Sequence, residues 1–91
     1  MPDLDFFIND NYTMLAYLYE VRNPNNNTAN VTQDELAEKL YIRRATVNKI
    51  IKKLRDAGYI LFDANHVGRY VLANKSIVIV ETFKQLEQKK K

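Results

Sequence analysis

Six basic side chains crowd one short stretch of this chain. Arg43, Arg44, Lys49, Lys52, Lys53 and Arg55 stand between Tyr41 and Gly58, against one acidic residue, Asp56. Cations at that density attract phosphate oxygens whatever the base sequence between them, and each phosphate they neutralise releases condensed counterions. Two of the side-chain types present can also read bases. Arginine can donate to guanine O6 and N7 together, and asparagine can pair with adenine N6 and N7. Arg43, Arg44 and Asn48 carry that chemistry at the start of the stretch, and Thr46 stands among them as a further candidate contact.

These groups need a scaffold that holds them on one face. Val47, Ile50, Ile51 and Leu54 recur at i, i+3, i+4 and i+7, the core stripe of an amphipathic helix over about 44–57. At about 100° per residue, Ala45, Lys49, Lys52 and Asp56 then point away from the core, with Asn48 and Lys53 on the flanks. A shorter helix precedes it, with Leu36, Ala37 and Leu40 as its apolar stripe and Ile42 in the turn. Thr32 and Glu35 have the spacing of a capping box, and Gly58 suits a left-handed helix end. Two short helices, a tight turn and a basic outer face on the second make a helix-turn-helix, whose second helix lies in the major groove of DNA. The competing reading, a lysine-rich face that is merely solvated, explains neither the preceding helix nor the turn.

After Gly58 the period changes to two. Tyr59–Phe62 and Arg69–Leu72 are short runs of β-formers, and Asp63–Gly68 between them suits a loop. A hairpin over about 59–72, directly after a recognition helix, is a wing. Arg69 near its tip is a candidate to reach a phosphate or the minor groove; a lone loop histidine such as His66 is ordinarily solvated and takes no metal or catalytic role here.

The segment LAEKL-YI-RRATVNKIIKKLRDAGYI resembles the winged helix-turn-helix proteins of bacteria, their plasmids and their phages. It departs from their usual pattern where Tyr41 replaces a common glycine and Arg43 replaces a capping Ser or Thr; both departures weaken turn chemistry without disturbing the apolar spacing. Two groups are similar in more detail. One is the MarR and ArsR repressors, which implies a dimer reading a palindrome; no Cys or His cluster supports ArsR-type metal sensing. The other is the TubR partition adaptors, on AGYI, Val67-Gly68-Arg69, Tyr70-Val71-Leu72, Ile79-Val80-Glu81 and Phe83-Lys84-Gln85. That resemblance implies a winged-helix dimer on repeated centromere sites that represses its own operon and recruits a tubulin-like filament-forming GTPase. It also implies DNA contacts from Arg43, Arg44, Asn48, Lys49, Lys52 and Arg69. The expected function is therefore sequence-specific double-stranded DNA binding as a partition adaptor and autoregulator, with the MarR/ArsR-like repressor as the alternative.

Composition bounds the rest. Ninety-one residues suggest one domain, 1–91, and a domain of this size gains from a partner. Cysteine is absent, which excludes disulfides and thiolate metal sites. There is no basic leader, and no apolar run approaches the ~18–20 residues that span a membrane, so the expectation is a cytoplasmic protein. The net charge of +3 divides into −5 over residues 1–40 and +8 over residues 41–91, so a polyanion meets the C-terminal half. With one His, two Gly and neither a phosphate loop nor an HExxH motif, no enzyme and no cofactor is expected. Asp34, Glu35 and Glu38 are read as capping and solvation, and a winged helix that binds only protein fits the basic second helix poorly.

The flanks are simpler. Met1–Asn9, apolar at Leu4, Phe6, Phe7 and Ile8, suits an arm packed on the core or a partner. Asn9 or Asp10 can cap a helix running to about Arg22, with Met14, Leu15, Leu18, Tyr19 and Val21 apolar. The asparagine-rich Asn23–Asn30 reads as a loop, with Val31 as a single pairing residue beside the hairpin. A last helix over about 75–88 carries Ile79, Val80, Phe83 and Leu86 as its stripe and is apolar nearly all round in its first turn. Such a helix needs two surfaces to bury against, so these four residues are expected at a homodimer interface. Lys89, Lys90 and Lys91 read as a solvated end. The expected fold is α+β, mostly α: a winged helix-turn-helix with a C-terminal dimerisation helix.

Overall fold

The computed structural model describes residues 10–62 and 68–89. The arm at 1–9, the wing loop with His66, Lys90 and Lys91 lie outside the described residues. In chain order the elements are α1 (Asp10–Val21), β1 (Thr28–Asn30), α2 (Gln33–Leu40), α3 (Arg44–Asp56), β2 (Ile60–Phe62), β3 (Arg69–Leu72) and α4 (Asn74–Lys89). This is a winged helix-turn-helix of mostly helical α+β class.

The core follows the apolar spacing. Val47, Ile50, Ile51 and Leu54 of α3 are buried together with Leu36 of α2 and Met14, Leu15 and Leu18 of α1. Leu15, Leu36 and Leu54 have no solvent exposure at all, so truncating any of them to Ala is expected to cost about 2–5 kcal/mol. Val21, one of the apolar positions expected inside, is 40% exposed, because α1 ends there and its last turn runs off the core.

The helix ends are made by backbone geometry as much as by side chains. Thr32 caps α2, its hydroxyl accepting from the Glu35 amide at 3.0 Å. The Glu35 carboxylate instead faces the Tyr17 hydroxyl, 3.4 Å away. At the other end of α2, Tyr41 sits at φ 57° and ψ 42°, and the Ile42 amide reaches back to the Ala37 carbonyl at 3.1 Å. At the end of α3, Gly58 takes φ 83°, with its own amide on the Arg55 carbonyl at 3.0 Å and the Tyr59 amide on the Leu54 carbonyl at 2.8 Å. Gly58 makes the paired reverse bonds of a Schellman motif, whereas at Tyr41, also left-handed, the Tyr41 and Ile42 amides both fall on the Ala37 carbonyl.

The wing is part of a three-stranded antiparallel sheet in the order β1-β3-β2. Ile60 pairs with Leu72 and Leu61 with Val71; on the other side Thr28 pairs with Val71 and Asn30 with Arg69. Ala29, Ile60, Tyr70 and Leu72 are buried, so the alternation seen in sequence is the alternation between core and surface. The third strand corrects the reading of Asn23–Asn30 as loop throughout: Thr28–Asn30 is β1. Val31 follows it and donates to the Gly68 carbonyl at 2.9 Å. The turn into β1 is built by asparagine, with Asn27 at φ 56° and its side chain accepting from Arg22 at 3.1 Å.

α4 closes the structure. The Ser76 hydroxyl donates to the Tyr59 carbonyl at 2.6 Å from a fully buried position, and Val80 is equally buried. Phe83 meets the Tyr12 ring edge-on at 4.9 Å, while Lys84 pairs with Glu20 and the Tyr19 hydroxyl donates to Glu81 at 2.9 Å. Val80, expected on a dimer surface, is instead fully enclosed within the chain's own core, and Phe83 packs against α1. Ile79 is partly buried against the core, Leu86 is 50% exposed and Val78 is 61% exposed.

Candidate nucleic-acid interface

Burying the Val47–Leu54 stripe turns the opposite face of α3 outward. Arg43, Arg44, Asn48, Lys49, Lys52 and Lys53 are all exposed, and Thr46 is half-buried beside them. Arg43 occupies the cap position in extended conformation and makes no side-chain cap bond, so its guanidinium is not spent on the helix end. Lys53 and Arg55 lie in the last turn of α3, where they complement the negative end of the helix. Arg69 is placed apart from this face, on β3 opposite Asn30, and is half-buried.

The N-terminal ends of α2 and α3 meet. Arg44 forms an ion pair with Asp34 at 3.2 Å, and the Asn48 amide donates to the Gln33 side-chain carbonyl at 3.4 Å. Gln33, Arg44, Ala45, Asn48 and Lys49 line an open concavity of about 490 Å³. The arrangement presents amides and a guanidinium to anything lying along α3, with ammonium groups further along the helix to meet phosphates.

Gln33 and Asp34 are members of this surface that reading α3 alone did not find. The signal that marks them is position: they open α2 just after its Thr32 cap, and the turn brings that end against the start of α3. Lys75 is another cation not singled out before. It donates to the Ala57 carbonyl at 2.6 Å and lies 4.3 Å from the centre of the Tyr59 ring, tying α4 to the end of α3.

Among the described residues, no group of three His, Cys, Asp or Glu is placed to hold a metal ion. No described helix is long and apolar enough to cross a membrane.

The sequence profile of the MarR family matches residues 11–69, about two thirds of the chain, from α1 through the helix-turn-helix to the first residue of β3. The chain belongs to the MarR family. Its members are DNA-binding regulators and generally not enzymes, and this MarR-family chain is a DNA-binding winged helix-turn-helix protein. No curated protein and no solved structure matches it significantly. The match stops before α4, the helix that carries the expected dimer residues.

Proposed function

We propose that the chain is a sequence-specific repressor that binds double-stranded DNA as a homodimer, with α3 of each copy in the major groove of one half of a palindrome. The observation that carries this reading is the two-faced α3: Val47, Ile50, Ile51 and Leu54 are buried while Arg44, Asn48, Lys49 and Lys52 are exposed together. Arg43, Arg44 and Asn48 are the base-reading candidates. Thr46, Lys49, Lys52 and Lys53 serve phosphates, and Arg69 steers the wing toward the flanking backbone. The dimer is proposed through α4, on Val78, Ile79 and Leu86. Half-sites about one helical turn (~34 Å) apart suit a two-fold pair of recognition helices.

A second reading, a partition adaptor that also represses its own operon, is favoured by the likeness to TubR proteins, of which AGYI and Val67-Gly68-Arg69 lie within the MarR match and Tyr70-Val71-Leu72, Ile79-Val80-Glu81 and Phe83-Lys84-Gln85 lie beyond it. In that case the partner is a tubulin-like filament-forming GTPase. A DNase footprint upstream of the chain's own gene at physiological salt tests both. One short protected palindrome supports the repressor. A long array of repeats that fills cooperatively supports the adaptor. Salt-sensitive smearing on any duplex, with no protected site, overturns sequence-specific binding there.

A further inference from the structure

The opening turn of α2 engages two of the three side chains suited to reading bases. Asp34 holds Arg44 at 3.2 Å and Gln33 accepts from the Asn48 amide at 3.4 Å, so adjacent residues of α2 engage residues one turn apart on α3. Gln33, Arg44 and Asn48 line the concavity, together with Ala45 and Lys49. We propose that Gln33 is a positioning residue for base recognition, fixing the Asn48 amide so that the protein prefers adenine at one position of each half-site. This inference rests on the DNA-binding reading above.

Adenine offers an acceptor, N7, and a donor, N6–H, in the major groove, and an asparagine matches them only with its amide nitrogen toward N7 and its oxygen toward N6. An exposed asparagine without a partner samples both amide orientations. Rotated by half a turn, it matches a base that presents the opposite pattern. The Gln33 carbonyl oxygen accepts one N–H of Asn48 Nδ2, which sets that nitrogen toward α2. The second N–H and Oδ1 are left for the base. Fixing the amide in advance also removes part of the ordering cost of binding. Asp34 acts in parallel on Arg44, restraining a guanidinium that otherwise swings freely among phosphates. Ala45 beside them brings no polar group that competes for either amide.

The test is selection from a randomised duplex pool with the full chain, comparing wild type, Gln33→Ala, Asn48→Ala and the double variant, each checked by thermal melting. A good asparagine–adenine pair gives roughly a 5- to 150-fold preference over the wrong base. Wild type is expected to show such a position. Asn48→Ala loses it, Gln33→Ala loses most of it with melting unchanged, and the double variant loses no more than Asn48→Ala. Gln33→Glu, which keeps an acceptor oxygen, is expected to restore the adenine preference while weakening binding to all duplexes. Unchanged adenine preference in Gln33→Ala, or losses that multiply in the double variant, overturns the inference but leaves DNA recognition standing. A wild type that enriches no sequence at all overturns the DNA-binding reading and the inference with it.

Discussion

Lys49 and Lys52 are one turn apart along the outer face of α3 and exposed, with Arg44 and Asn48 nearer its start. Replacing either lysine by alanine is expected to weaken binding to specific and random duplexes alike. It should also lower the slope of log K against log salt by up to ~1 each. A slope that does not change takes that lysine out of the interface. Arg44→Ala is expected to behave differently, costing about 1–3 kcal/mol on the specific site and little on random DNA. Tyr17 titrates within the fold. Partial burial, the negative charge of Glu35 and the hydrogen bond to it raise the phenol above its ordinary 10.0. The folded state therefore favours the neutral phenol, and its contribution is complete below that ordinary value and lost as pH rises through the raised one. The hydrogen bond to Glu20 raises Lys84 as well, in the same sense. Denaturant midpoints should fall in strong alkali, and Tyr17→Phe should make that fall shallower. An identical profile in the variant removes Tyr17 from the linkage.

At the scale of elements, the turn between α2 and α3 is where local chemistry and geometry disagree. Tyr41 is held left-handed at φ 57° although it carries a Cβ and its side chain is 94% exposed. A non-glycine residue pays about 1–2 kcal/mol there, while glycine costs about 0.4–1 kcal/mol in the unfolded state. Tyr41→Gly is accordingly expected to raise stability by about 0.5–1 kcal/mol in urea titration; a loss would show that the ring packs on something in solution. Gly68 is the opposite case. It sits at φ 81°, and a Cβ there would stand 3.1 Å from the Val31 carbonyl oxygen, a backbone atom that cannot turn aside. Most elements were legible because their apolar periods were long enough to be unambiguous. α3 spans Arg44–Asp56 against an expected 44–57, and the last helix spans Asn74–Lys89 against an expected 75–88. β1 was not, because Thr28–Asn30 has a single apolar residue, Ala29, and follows an asparagine-rich turn, whereas the equally short β2 is apolar throughout. β1 is a strand because β3 supplies its hydrogen bonds.

At the scale of the molecule, the question is which apolar surface remains once the protomer has closed. α4 spends Val80, Ser76 and Phe83 on its own domain and leaves Val78 and Leu86 outside, with Ile79 between them. Val78→Glu with Leu86→Glu is expected to give a folded monomer in sedimentation, with melting close to wild type at low protein concentration. Phe83→Glu is expected to cost the protomer itself about 2–4 kcal/mol, because its ring packs on Tyr12. A dimer that survives the double change moves the interface away from α4.

What the sequence by itself determined is whatever follows from near neighbours along the chain. The α3 stripe, the Thr32 cap, the Gly58 helix end, the two β-runs of the wing and the charge division between halves all depend on spacings of a few residues. A helix or strand repeats its geometry at those spacings. The tertiary structure alone decided the pairing of β1 with β3, the enclosure of Val80, and the joining of Gln33 to Asn48 and Asp34 to Arg44. Each of these brings together groups far apart in sequence. Periodicity says which face of an element is apolar; only packing decides which neighbour covers it and which side chains meet at its edge.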